Sequence, residues 1–311
     1  MNPFYNVQEN RFRAGIRILL YLLLTTIFAF SAEFVNHIAL KYIALSIAFF
    51  LAVYLAATGL DKRKLSGVGL EWSRKWQQEF LLGFVMAFVA QTVIFLIEWQ
   101  SGWIEITGLG WQRVDEEFWI FSILFVLIQM LSVGFYEEVL FRGYPVRNLA
   151  EGFTLGKLSP KAGVVIAVFF TSSLFGIAHA TNANASLIST SNIVLAGFML
   201  ALPYILTGRL ALSIGIHFSW NFVMGGIYGL PVSGTTVRRS LIQVQETGPD
   251  FFTGGKFGPE AGILGILGML IISFWVYIYQ KKMEGKVSIH HSFQKKYLLE
   301  RESFHGKDEL A

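Results

Sequence analysis

The sequence predicts an all-α, polytopic membrane protein with about eight transmembrane helices. Two observations carry that prediction. Of the 311 residues, 54% are hydrophobic and 15% charged, with a mean hydropathy of +0.53, whereas soluble domains carry about 25% charged residues. Apolar runs of the ~20 residues needed to cross a bilayer also recur along the chain, separated by short stretches rich in turn residues or charges.

The first run, 14–34, follows Arg11 and Arg13 and is longer than a signal-peptide core. It reads as an uncleaved first helix, although Ala29 and Ser31 resemble a cleavage site. The second run, 39–59, is closed by TGLDKRKLSG (58–67). The basic stretch 61–79, with Trp72 and Trp76, fits either a helix lying on the inner headgroup surface or a solvated loop. The third run, 80–99, ends at SGWIEITGLG (101–110), and the fourth covers 118–140. LSPK (158–161) opens the fifth, 162–180, and TGR (207–209) separates the sixth, 191–207, from the seventh, 210–229. The eighth is 261–280. The polar, uncharged TNANASLISTSN (181–192) blurs the borders of the fifth to seventh. No repeat is visible, and KDEL at 307–310 is followed by Ala311, so it does not read as a retention signal.

Lys and Arg set the orientation. With the N-terminus inside, 20 of the 25 basic residues fall on inner segments and 5 on outer ones. Both termini are therefore expected in the cytoplasm. The chain has no cysteine, which excludes disulfides, a thiolate nucleophile and cysteine-ligated zinc. The net charge of +4 follows loop composition and gives no case for a nucleic-acid partner. The expected partners are the bilayer and a membrane-associated peptide or protein.

Inside the apolar runs stand residues that are expensive there, since a charge at a helix centre in lipid costs about 2.5–3.5 kcal/mol on insertion scales. Glu137, Glu138 and Arg142 end the fourth run, His179 ends the fifth, and His217 and Asn221 lie within the seventh; Gln91 and Gln129 are milder cases. On a helix, Glu138 and Arg142 (i, i+4) lie about 40° apart, and Glu137 points about 100° away from Glu138. The simplest division pairs Glu138 with Arg142 and turns Glu137 toward the other polar groups. His217 and Asn221, and likewise Phe175 and His179, share the i, i+4 spacing.

A glutamate, two histidines and an asparagine on three helices form a hydrolytic set. A buried carboxylate can take a proton from water, a histidine can orient that water, and a second histidine with an amide can donate to an oxyanion. The same residues could instead hold zinc, although the HExxH spacing is absent. Taken singly, each piece also fits interhelical hydrogen bonding. A proton-coupled transporter or a non-catalytic scaffold would also carry buried polar groups.

EEVLFR (137–142), FGIAH (175–179) and HFSWN (217–221) read as E-E-x-x-x-R, F-x-x-x-H and H-x-x-x-N. In order and spacing they resemble the CPBP family of CAAX prenyl protease type 2 and bacteriocin-processing (Abi) enzymes, over roughly 118–230. The resemblance implies a CAAX prenyl protease type 2-like helical bundle that hydrolyses peptide bonds at the membrane. By motif position, Glu137 would be the general base and His179 its partner on the water. His217 and Asn221 would form the oxyanion site, with Glu138 and Arg142 in support. If a metal is present, zinc would be held by Glu137, His179 and His217; a metal-independent glutamate mechanism is the preferred alternative. Three segments follow: N-terminal helices (1–117), a catalytic core (118–230), and an outer loop, last helix and basic tail (231–311). The expected location is the bacterial cytoplasmic (inner) membrane, and a bacteriocin-immunity role is a further alternative. One conflict remains. His217 lies roughly 10 Å from the inner end of its helix at about 1.5 Å per residue, while His179 lies near the outer end of its own. The borders at 140–165 and 180–192 are therefore expected to move.

Overall fold

A computed structural model describes residues 2, 4–7, 9–112, 119–154, 158–237 and 239–293. Within these, seven helices are long and apolar enough to cross a membrane. They are α1 (Ala14–Ala32), α2 (Ile38–Leu55, prolonged by a π-turn to Leu60), α3 (Arg74–Gln100), α4 (Trp119–Glu138), α6 (Pro160–Ala178), α7 (Leu187–Thr207) and α10 (Ile263–Glu284). The eighth expected span, 210–229, is shorter: α8 (Ala211–Asn221) and a π-turn to Ile227. It is also buried on every side, so neighbouring helices surround it and lipid does not.

Two borders move, as the depth conflict required. The fourth helix does not end at 140. It passes through a π-turn, Val139–Gly143, into α5 (Tyr144–Phe153), making one helical rod from Trp119 to Phe153. Glu138 thus stands 15 residues from the rod's far end, roughly 22 Å at about 1.5 Å per residue, and no longer at a membrane surface. The sixth run begins at Leu187, where Ser186 and Ser189 form a capping box. The 61–79 stretch forms no separate helix. It holds a 3₁₀ turn at Leu65–Val68, and Ser73 then caps α3, accepting from Trp76 N. The KDEL stretch and the basic tail beyond residue 293 lie outside the described residues.

The outward faces of the long helices are apolar; Leu19, Phe30, Ile47, Phe169, Leu270 and Phe274 are exposed. That is how a bundle solvated by lipid presents itself. Two apolar cores lie inside: one among α3, α4, α7, α8 and α10, the other among α1, α2, α5, α6 and α7. Segments assigned to one side by their Lys and Arg content gather at one end of the bundle. There the hairpin β1 (Tyr5–Asn6)–β2 (Arg11–Phe12) leads into α1, Leu210 N donates to Gly69 O, and His290 N donates to Ile205 O. At the other end, β3 (Ile104–Leu109) pairs antiparallel with β4 (Ile242–Glu246). The short helix α9 (Asp250–Thr253) and the 180–186 loop lie there too, the loop held by Asn182 Nδ2 donating to Ser233 O at 3.0 Å.

Candidate active site

Glu137 and Glu138 sit on the last α-helical turn before the π-turn. Gly134, one turn earlier, is what lets α4 lie against α8: a Cβ there would stand 2.8 Å from Phe218 N. On the other flank of α8, a Cβ on Gly83 or Gly215 would run into the carbonyl of Leu212 or Phe80. Glycine thus brings three backbones into contact around α8, and His217 comes to face the glutamates.

Glu138 and Arg142 are fully buried, and Arg142 Nη1 donates to Glu138 Oε1 at 3.0 Å. The expected i, i+4 pair forms across the π-turn. Glu138 also has a second partner that the spacing did not indicate, because His217 Nδ1 donates to the same oxygen at 2.8 Å. His217 Nε2 then lies 3.7 Å from Glu137 Oε2, within ion-pair range but longer than a hydrogen bond. The three side chains form a line: carboxylate, imidazole, carboxylate. Glu137, with 16% of its side chain exposed, is the outer member and lines the cavity.

His179 closes the C-terminus of α6. Its Nδ1 lies 2.7 Å from Phe175 O; the carbonyl can only accept, so Nδ1 carries the hydrogen and Nε2 of the neutral ring is an acceptor. Phe175 joins the two histidines. Its ring centroid is 4.6 Å from that of His179 and 5.9 Å, edge-on, from that of His217, while the Arg142 guanidinium lies over its face at 4.1 Å. This is the physical content of the Phe-x-x-x-His spacing.

Glu137, His179, His217 and Asn221 all line one cavity of about 580 Å³. The structure therefore brings the four expected residues to a common space, with Arg142 behind them. Among the described residues, no three His, Asp or Glu side chains gather as a metal site. Both imidazole Nδ1 atoms are committed to protein acceptors. That leaves Nε2 as the available nitrogen of each ring, an arrangement that a metal-ligating histidine also adopts.

The cavity also takes in residues that the sequence patterns do not single out: Tyr42, Tyr136, Ser233 and Glu260. Tyr42 accepts from Gln129 Nε2 at 2.9 Å, so the polar Gln129 was the available sign of it. Ser233 and Glu260 come from the glycine-rich stretch after α8, where a glutamate looks like any loop carboxylate.

Residues 119–223 match the family model described as type II CAAX prenyl endopeptidase Rce1-like. The match starts at the first residue of α4 and ends two residues past Asn221, so it contains all three motifs. No curated protein and no solved structure matches the chain. At family level, the Rce1-like match supports a CAAX-type intramembrane protease. The helices α1–α3 and α10 and the loop carrying Ser233 and Glu260 lie outside the matched segment.

Proposed function

We propose that the protein is an intramembrane endopeptidase that hydrolyses a peptide bond of a membrane-associated peptide or protein, using water activated by Glu137. The observation that carries this reading is the state of Glu137. Its Oε2 is buried at the cavity wall without a hydrogen-bond partner among the described residues, next to a histidine held from behind by a second glutamate. A carboxylate oxygen left without donors at the wall of a cavity is free to accept a hydrogen from a water in that cavity.

The chemistry follows the hydrogens. His179 Nε2, an acceptor in the tautomer set by Phe175 O, receives one water hydrogen and orients the water. Glu137 takes the other proton as the water oxygen bonds to the scissile carbonyl carbon. Protonated His217, its charge balanced through Nδ1–H by Glu138, offers Nε2–H to the oxyanion, and the Asn221 amide offers a second donor. The C–N bond breaks as Glu137 returns its proton to the leaving nitrogen. The products are a carboxylic acid and an amine, the acid's remaining water-derived proton passes to the amine to give a carboxylate and an ammonium, and Glu137 is ionised again. In this reading the catalytic core, 118–230, is preceded by N-terminal helices (1–117) and followed by an outer loop, last helix and basic tail (231–311), with both termini cytoplasmic.

The test is cleavage of membrane-anchored fluorogenic peptides by the purified protein in nanodiscs. Glu137→Gln and His179→Ala are each expected to abolish cleavage while the protein still accumulates. Full activity after removal of divalent metal by a tight chelator agrees with this mechanism; loss restored by zinc would replace it with a metal-dependent one. Wild-type cleavage by Glu137→Gln would overturn the reading.

A further inference from the structure

Glu260 lies 39 residues beyond Asn221, in the 3₁₀ turn Pro259–Ala261 just before α10, outside the segment that matches the family. It is a carboxylate only 4% exposed, among the residues lining the cavity. Its two oxygens reach two different walls. Oε1 accepts from Trp220 Nε1 at 3.0 Å. Oε2 accepts from both the backbone N and the Oγ of Ser233, at 2.7 and 2.8 Å.

Each wall carries part of the reaction set. Trp220 immediately precedes Asn221, the amide assigned to the oxyanion. Ser233 O accepts from Asn182 Nδ2, three residues after His179. Gly234, at φ +85°, lies so close to the same loop that a Cβ there would run into Ala183 O. Ser233 itself is held at φ +47°, the left-handed region that a non-glycine residue rarely adopts. Such a conformation persists where its surroundings over-determine it, and such positions cluster at functional sites. Here the two hydrogen bonds to Glu260 and the one from Asn182 supply that determination.

We propose that Glu260 is a positioning residue of the active site: its carboxylate ties the Asn221 wall, through Trp220, to the His179 wall, through Ser233 and Asn182, and so fixes the spacing of the oxyanion donor and the water-orienting histidine across the cavity. The inference rests on the endopeptidase reading. With three donors on its two oxygens, Glu260 is committed to the protein and does not contact the scissile bond. A buried carboxylate is a strong acceptor for such a joint, because hydrogen bonds to an ionised group are roughly twice as strong as neutral ones.

The experiment is a double-mutant cycle on the full-length protein in nanodiscs with a membrane-anchored fluorogenic peptide, reading kcat and KM separately. Glu260→Gln replaces an acceptor oxygen by a donor. Trp220→Phe keeps an aromatic ring, smaller than the indole, and the carboxylate but removes the Nε1–H. Misplacing a reacting group by about 1 Å costs on the order of 10²-fold, so each variant is expected to lower kcat by up to that factor with little change in KM. The variants combined are expected to fall no further than the worse single one. In an Asn221→Ala background, where the group being positioned is gone, both are expected to cost much less than in wild type. A purely structural role predicts the opposite: a lower unfolding midpoint with kcat of the folded fraction unchanged, or the same factor lost with and without Asn221. Either result overturns the proposal. If Glu260→Gln does not accumulate, the Trp220→Phe and Asn221→Ala cycle decides by the same criteria. A Glu137→Gln control separates the two claims. Cleavage lost in Glu137→Gln but unaltered in Glu260→Gln removes the positioning role alone; cleavage retained in Glu137→Gln removes the glutamate mechanism alone. A protein that cleaves no peptide removes both.

Discussion

The rod from Trp119 to Phe153 carries two buried clusters of charge, and they differ in how their carboxylates are satisfied. At its far end, Asp61 and Glu151 sit among Arg11, Arg17, Arg63, Tyr144 and Asn148. Asp61 Oδ1 accepts from Arg17 at 2.6 Å and Tyr144 at 2.8 Å, and Oδ2 from Asn148 at 2.9 Å. Glu151 Oε1 accepts from Arg11 at 2.7 Å and Arg17 at 2.8 Å, and Oε2 from Arg63. Every carboxylate oxygen there has a donor. In mid-bundle, Glu138 Oε1 has two donors, but Oε2 of Glu138 and Oε2 of Glu137 have none among the described residues. Both clusters are buried, so burial does not distinguish them. The saturated cluster joins β2, α1, the 61–63 turn and α5; the unsaturated one opens onto a cavity. Unspent acceptor capacity beside a cavity is the mark of a group kept for a reactant.

The comparison can be broken by exchanging the roles. Glu137→Gln is expected to have the largest effect on rate, a loss of about 10²–10⁴-fold for a general base, with no change in accumulation or unfolding midpoint. Asp61→Asn is expected to do the reverse. It removes one of the two carboxylates that balance Arg17, a destabilisation of up to about 3–5 kcal/mol for a broken buried pair, read as lost yield and a lower midpoint, with kcat of the folded fraction unchanged. A stable Asp61→Asn protein with low kcat would erase the distinction drawn between the clusters.

Glu138→Gln tests the member that belongs to both types. One oxygen serves the fold through Arg142 and the site through His217. Losing a hydrogen bond to a charged group costs about 1.5–3 kcal/mol, and both yield and kcat should fall, with kcat falling less than in Glu137→Gln. The smallest effect is expected on the C-terminal strap over the saturated end. Arg147 donates to Ser292 O and Oγ, and Phe293 packs beneath the Arg147 guanidinium. Burial, with His291, Arg209 and Arg147 nearby, pulls the His290 pKa down to about 4. The docked strap therefore holds His290 neutral, whereas a released strap binds a proton near the ordinary value of 6.5. Docking is at full strength above about pH 6.5 and weakens as pH falls toward 4. Limited proteolysis at 286–293 should quicken over that window, and His290→Gln should remove the pH dependence.

Much of the mid-bundle cluster was legible in the sequence because a charge in an apolar run is conspicuous and the i, i+4 spacing assigns it a face. Glu138 with Arg142, the turn of Glu137 toward the other polar groups and the inclusion of His217 all follow from that. The second partner of Glu138 does not, since His217 lies 79 residues away and either glutamate could meet it. The saturated cluster was illegible for a different reason. YPVRNLAEGF (144–153) looks like a solvated loop, and its Arg147, Asn148 and Glu151 are buried only because Asp61, Arg17 and Ser292 come from distant parts of the chain. Glu260 left still less trace: one carboxylate in a glycine-rich stretch, buried by partners that the tertiary fold alone supplies.

The π-turn Val139–Gly143 stands between the two clusters, and a π-turn holds one more residue than the α-helical turn it replaces. That extra residue sets the angular phase of everything beyond it. Excising it would leave Glu137 and Glu138 facing α8 but swing Tyr144, Asn148 and Glu151 by about 100°, one helical step, away from Asp61 and Arg17. The rod behaves as a keyed shaft whose two ends must engage different locks at once. Its residue count between Glu138 and Tyr144 is therefore a fixed dimension of the protein. One-residue insertions and deletions that the surface turns can absorb have no neutral place there.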